Sequence, residues 1–151
     1  MKGMGGYMEK TYDFSRYLKA QAQDYDVALK EIKEGYKRSH WMWYVFPQII
    51  GLGQSRTSIF YSIQDLDEAK AYMEDETLRK HMLDICEALV GLETSDATHV
   101  FGSPDDVKLH SSMTLFKAAC PDIDIFQKVI DKFFAGKDDR RTIEIISWKQ
   151  Q

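Results

Sequence analysis

The chain has little of what would mark several protein classes. It contains two cysteines in 151 residues, Cys86 and Cys120. That is too few for a disulfide framework, and they form no C-x-x-C pair. Both are expected as small buried apolar side chains. The four histidines, His40, His81, His99 and His110, are scattered singly, whereas a structural zinc needs about four N or S ligands at close spacing. No metal and no cofactor is therefore expected. No run of about 18 apolar residues is present to span a bilayer, and the N-terminus lacks the apolar stretch of a secretory signal, so a cytoplasmic address is the expectation. A net charge of -4 lacks the concentrated positive surface that a nonspecific grip on nucleic acid requires. Lys30, Lys33, Lys37 and Arg38 do make a basic face, but Glu31 and Glu34 lie among them, the mixture of a solvated helix. With no internal repeat and no low-complexity linker, what remains is one globular domain. Its 44% hydrophobic and 13% aromatic content suffices for a single substantial core.

Helix signals follow one another closely along the sequence. Asp13 can cap a helix with Phe14, Tyr17 and Leu18 on one face, and Asp24 predicts a second with Tyr25, Leu29, Ile32 and Tyr36 turned inward. His40 to Phe46 is apolar on every side, and Pro47 disfavours helical geometry at Phe46; a short buried helix is predicted, then a loop from Pro47 to Gln54. Ser55 can cap the next turns, and Asp65-Leu66-Asp67-Glu68 has the spacing of a capping box. Leu78, Met82, Ile85 and Leu89 predict a long helix ending near Gly91. Ser103-Pro104-Asp105-Asp106 combines a capping side chain, a proline for the first helical position and acidic residues where the dipole favours them, ahead of an inner stripe of Leu109, Met113 and Phe116. Phe126, Val129, Ile130 and Phe133 give another helix, closed by Gly136. Residues 142–146 alternate partly like a strand, but a lone strand lacks a partner and Asp139 can cap a last helix instead. The expectation is an all-α fold: a single compact multihelical domain of six to eight helices over residues 12–148. A flexible leader at 1–11 precedes it and a short tail at 149–151 follows.

Two stretches set reactive or binding groups beside large rings. On the helix after Pro104, Lys108 lies one turn before Ser111 and Ser112, so an ammonium and a hydroxyl share a face. That pairing suits an anion, or a Ser-Lys nucleophile and base where burial lowers the lysine pKa. It equally suits a solvated lysine beside two serines that let helices approach. In the other stretch His40 offers an acid or base near neutral pH, and Trp41, Trp43 and Tyr44 offer flat faces to a planar ligand. The same rings equally suit the centre of a core with His40 at its edge. Gln48, Ser55 and Tyr61 can each hydrogen-bond a ligand or a helix end. Gly51-Leu52-Gly53 lacks the third glycine, the preceding strand and the following Lys-Ser or Lys-Thr of a phosphate loop, and is read as loop geometry.

Taken together, R-S-H-W-M-W-Y-V-F-P-Q-I-I-G-L-G-Q-S, F-Y-S-I, E-A-K-A-Y-M and F-G-S-P-D-D-V-K-L-H-S-S-M-T-L-F resemble the DUF1810 family of small, mostly bacterial proteins, over roughly residues 12 to 146. The resemblance implies an all-α fold and no established chemistry. Its pattern includes the positions held here by His40, Trp41, Trp43, Pro47, Gln48, Ser55, Tyr61, Lys108, Ser111, Ser112 and Thr114. Occurrence of such domains joined to macro domains implies nucleotide or ADP-ribose-like ligands as a class. The expected site thus lies between His40–Gln48 and Lys108–Thr114. His40, Lys108 and Ser111 are its candidate catalytic residues; Trp41, Trp43, Gln48, Ser55, Tyr61, Ser112 and Thr114 are its candidate ligand contacts. An anionic small molecule is the expected partner, and a noncatalytic helical module that binds another protein is the alternative.

Overall fold

The computed structural model describes residues 11–150. The leader expected at 1–11 falls almost entirely outside them. The described residues form nine helices: α1 (Ser15–Lys33), α2 (Met42–Val45), α3 (Arg56–Phe60), α4 (Leu66–Tyr72), α5 (Glu76–Val90), α6 (Ala97–Phe101), α7 (Asp105–Ala119), α8 (Ile125–Phe134) and α9 (Arg140–Lys149). The fold is all-α, with more helices than the six to eight expected, because α2, α3 and α6 are single turns of four or five residues. Such turns are too short to show a period.

The centre is α7, which packs on α4, α6, α8 and α9. The predicted stripe of Leu109, Met113 and Phe116 is fully buried, but so are Ser111, Ser112, Thr114 and Leu115. A helix enclosed on so many sides needs small residues where its neighbours come close. Around it runs a chain of rings: Tyr17 meets Tyr72 edge-on with centroids 5.2 Å apart, Tyr72 meets Phe116 at 5.2 Å, and Phe116 meets Phe126 at 5.8 Å. Burying each such side chain contributes about 1.5–3 kcal/mol, so these rings anchor α1, α4, α7 and α8 to one core.

Capping residues set most helix starts. Ser55, Asp65, Asp75, Asp96 and Asp139 each accept a hydrogen bond from the backbone N–H three residues on, satisfying an otherwise orphaned donor. Three local expectations need correction. Asp24 starts no second helix, because α1 runs unbroken through it; its carboxylate instead accepts a bond from Tyr44 Oη. Tyr36, expected inside, lies beyond the end of α1 and is exposed. Pro104 occupies the cap position of α7 rather than the first turn, and no side chain caps that end.

The segment 47–54 is a loop, held by one parallel bridge between Ile49 and Ile63. Ile63 N donates to Gln48 O and Ile50 N to Ile63 O, both at 2.8 Å. Gly53 fits against α3 so closely that a Cβ there would lie 2.6 Å from Ser58 Cβ and Oγ. Together the bridge and this contact tie the loop to α3 and the segment that follows it. Cys86 is buried with its thiol 3.7 Å from the Met113 sulfur, whereas Cys120, also expected inside, is only half-buried. No helix among the described residues is long and apolar enough to cross a membrane.

Candidate functional site

Two Lys–Trp pairs flank the start of α7. Lys37 Nζ lies 4.9 Å from the Trp41 ring centroid, and Lys108 Nζ lies 5.2 Å from that of Trp43. Asp105 joins them, 2.8 Å from Lys37 Nζ and 3.5 Å from Lys108 Nζ. One carboxylate therefore serves two ammonium groups, and Lys108 holds the weaker share.

Trp41 is interior. It is 1% exposed and its Nε1 donates to Glu31 Oε1 at 2.9 Å, so the expectation that it walls a ligand site is corrected. Glu31 also accepts from Arg38 N at 2.9 Å, Ser39 N at 3.0 Å and Ser39 Oγ at 2.6 Å. Burial raises the Glu31 carboxyl pKa, but the bonds from the Ser39 hydroxyl, Arg38 N, Trp41 and Ser39 N outweigh it and hold the group at about 2. This carboxylate clamps the turn after α1 onto the core.

Beside the second pair lies a cleft of about 250 Å³, lined by Gln48, Leu52, Gly53, Pro104, Val107, Lys108, Ser111, Asp139 and Arg141. The loop 47–54 forms one wall, α7 the other, and the start of α9 closes the end. Leu52, Pro104 and Val107 make it largely apolar, while Lys108 and Arg141 oppose the single carboxylate of Asp139. Arg141 makes no hydrogen bond or ion pair with any described residue, and neither does the Gln48 side chain. The Ser111 hydroxyl points to Val107 O and Asp139 Oδ2, each at 3.1 Å. Across Gln48 and Gly53 the cleft adjoins a crevice of about 10 Å³ that includes Trp43 and Tyr61. Two wider depressions elsewhere are lined with carboxylates, one with Asp65 and Asp67 and the other with Glu34, Glu93 and Asp96.

The expected site residues thus separate. Gln48, Lys108 and Ser111 line one cleft, and Trp43 and Tyr61 its neighbour. The others lie elsewhere. His40 is exposed and lines neither space, so the expectation that it is a catalytic residue of this cleft is corrected. Ser55 is an exposed cap of α3. Ser112 is fully buried with an unpartnered hydroxyl. Thr114 Oγ1 donates to His110 O and accepts from Asp139 N, joining α7 to the start of α9. No hydrogen bond links Lys108 to Ser111, so a Ser-Lys couple is not assembled. Among the described residues no group of three or more His, Cys, Asp or Glu is placed to hold a metal ion.

A family model described as a protein of unknown function, DUF1810, matches residues 11–146. The chain belongs to the DUF1810 family. It is similar to the crystal structure of the conserved hypothetical protein Rv1873 from Mycobacterium tuberculosis, with a TM-score of 0.88 and 38% sequence identity over 90% of this chain and 97% of that one. No curated protein matches the sequence. Within the DUF1810 fold as it stands here, sequence reasoning missed Arg141 and saw Asp139 only as a cap. One signal was available. Arg140 and Arg141 open α9 and no acidic residue lies in its first turn, although the helix dipole disfavours cations at that end.

Proposed function

We propose that this DUF1810 protein binds a small anionic ligand, of the nucleotide or ADP-ribose-like class, in the cleft between the 47–54 loop and the first turns of α7. One observation carries the proposal: three side chains with unused donors, Gln48, Lys108 and Arg141, converge on one apolar-walled cleft. Gln48 and Lys108 are half-buried, where donors are normally satisfied by the protein itself, while Arg141 is exposed. An apolar recess with a few convergent polar groups is the usual form of a small-ligand site.

Lys108 supplies a point charge, steadied over Trp43 and incompletely neutralised by Asp105. Arg141 supplies a planar fork suited to two oxygens of a phosphate or carboxylate. Gln48, anchored by the Ile49–Ile63 bridge, adds an orienting amide. About 250 Å³ is below the roughly 300–1,000 Å³ of a typical pocket, so the cleft takes the charged end of such a ligand. Binding is favoured over hydrolysis or transfer, because the Ser111 hydroxyl is engaged and His40 is not in the lining.

The test is a thermal-shift series with ADP-ribose, NAD and nucleoside monophosphates on the native chain, Lys108→Ala and Arg141→Ala. A ligand selective for the folded state raises the melting temperature by mass action. A shift in the native chain that is lost in both variants supports the proposal; an equal shift in all three removes it. The alternative of a noncatalytic partner-binding module draws on Ile59 and Phe60, adjacent on α3 and 51% and 58% exposed. Replacing both with Asp should leave ligand shifts intact and abolish any partner captured through that face.

A further inference from the structure

Asp139 gives the cleft a second chemistry. It caps α9, and its Oδ2 accepts from Thr142 N at 3.1 Å, Thr142 Oγ1 at 2.5 Å and Ser111 Oγ at 3.1 Å. All the bonds it receives from described residues fall on that one oxygen, and Oδ1 accepts none. A carboxylate oxygen can take about two hydrogen bonds, so beside its donors and the Gln48 amide oxygen the lining of the cleft also holds an unfilled carboxylate acceptor. A bare anion has no use for it. Beside a bound anion Asp139 is a source of repulsion, unless the ligand brings a hydroxyl to that oxygen.

We infer that the cleft selects a hydroxylated phosphate monoester, with the phosphate held by Lys108 and Arg141, and a hydroxyl a few atoms away donating to Asp139. The inference rests on the anion-binding proposal and narrows its ligand class. Lys37, Lys108 and Arg141 together outnumber Asp105 and Asp139, so the cleft keeps a net positive charge toward a phosphate. Leu52, Pro104 and Val107 face the carbon skeleton. A cleft of about 250 Å³ accommodates a group of sugar-phosphate size. Such a group comes either as a free sugar phosphate or as the sugar-phosphate end of a nucleotide.

The sign of one substitution separates this arrangement from plain anion binding. Asn caps a helix about as well as Asp, so Asp139→Asn keeps the start of α9 while removing the charge and replacing the open acceptor oxygen with an N–H donor. Calorimetric titration of the whole chain with ribose 5-phosphate should weaken about tenfold in Asp139→Asn, the loss of one charge-assisted hydrogen bond. Titration with ethyl phosphate, which carries the same dianion and no hydroxyl, should stay unchanged or tighten, because a repelling carboxylate has gone. Opposite responses of the two probes are the expected result. If ribose 5-phosphate binds Asp139→Asn as well as it binds the native chain, or both probes weaken together, the inference is overturned while anion binding stands. If neither probe binds the native chain, both are overturned. Adenosine monophosphate binding more tightly than ribose 5-phosphate would point to the nucleotide source, and more weakly to the free sugar phosphate; either order supports the inference.

Discussion

The two Lys–Trp pairs at the start of α7 are built from the same residue types, draw on neighbouring tryptophans and share Asp105, yet they differ in how fully their polar atoms are satisfied. At Lys37 and Trp41 every group has a partner: the ammonium reaches Asp105 and donates to Ser39 O, the indole donates to Glu31, and the lysine side chain is 6% exposed. At Lys108 and Trp43 the ammonium has one long ion pair, the indole N–H has no partner among the described residues, and the lysine is 22% exposed beside an open cleft. Residue identity does not separate structure from site here. The completeness of hydrogen bonding does, because a protein that leaves donors unused at a recess gives up stability a solvated or paired arrangement would keep.

The comparison can be broken most forcefully at the rings. Trp41→Ala should cost about 3–5 kcal/mol, through the cavity and the loss of one donor to Glu31, whereas Trp43→Ala should cost clearly less; denaturant titration compares the two. Equal losses would dissolve the distinction. Acid should next reveal the Glu31 clamp. The folded carboxyl is held at about 2 against an ordinary 4.5, so its contribution is complete above about pH 4.5 and lost as pH falls toward 2. Glu31→Gln should lower the urea midpoint at neutral pH and flatten its fall between those values. A parallel fall in the variant would assign acid sensitivity elsewhere.

Gly53→Ala should follow, at about 1–3 kcal/mol of overpacking, since the added Cβ meets Ser58 at 2.6 Å. It should also weaken ligand binding by moving Gln48. Smallest in stability are Lys108→Ala and Arg141→Ala, within about 1 kcal/mol in denaturant titration. Should either unfold the domain, that residue belongs with Lys37 and not with a ligand.

Much of the fold was legible because its signals are local. Ser55, Asp65 and Asp139 cap as their spacing implies, and the stripes of α5, α7 and α8 are buried as their periods require. The unbroken α1 was missed because Asp24 looks like a cap, whereas its carboxylate answers Tyr44, twenty residues away. The candidate site was less legible for a related reason. Trp41 and Trp43 are two residues apart and face different surroundings, a separation that only packing decides. Thr114 and Ser112 turn inward because α7 is enclosed, which the period of α7 alone does not disclose. Arg141 joins Lys108 only through the way α9 returns to α7, a contact between segments about thirty residues apart.

The most direct measurement is an amide chemical-shift titration of the native chain with ribose 5-phosphate. The predicted result is a set of saturable shifts confined to residues 48–53, 107–111 and 139–141, with the amides of Glu31, Arg38, Ser39 and Trp41 unmoved. Shifts centred on His40 and Trp41, or on Ile59 and Phe60, or none at saturating ligand, would contradict the assignment of the cleft.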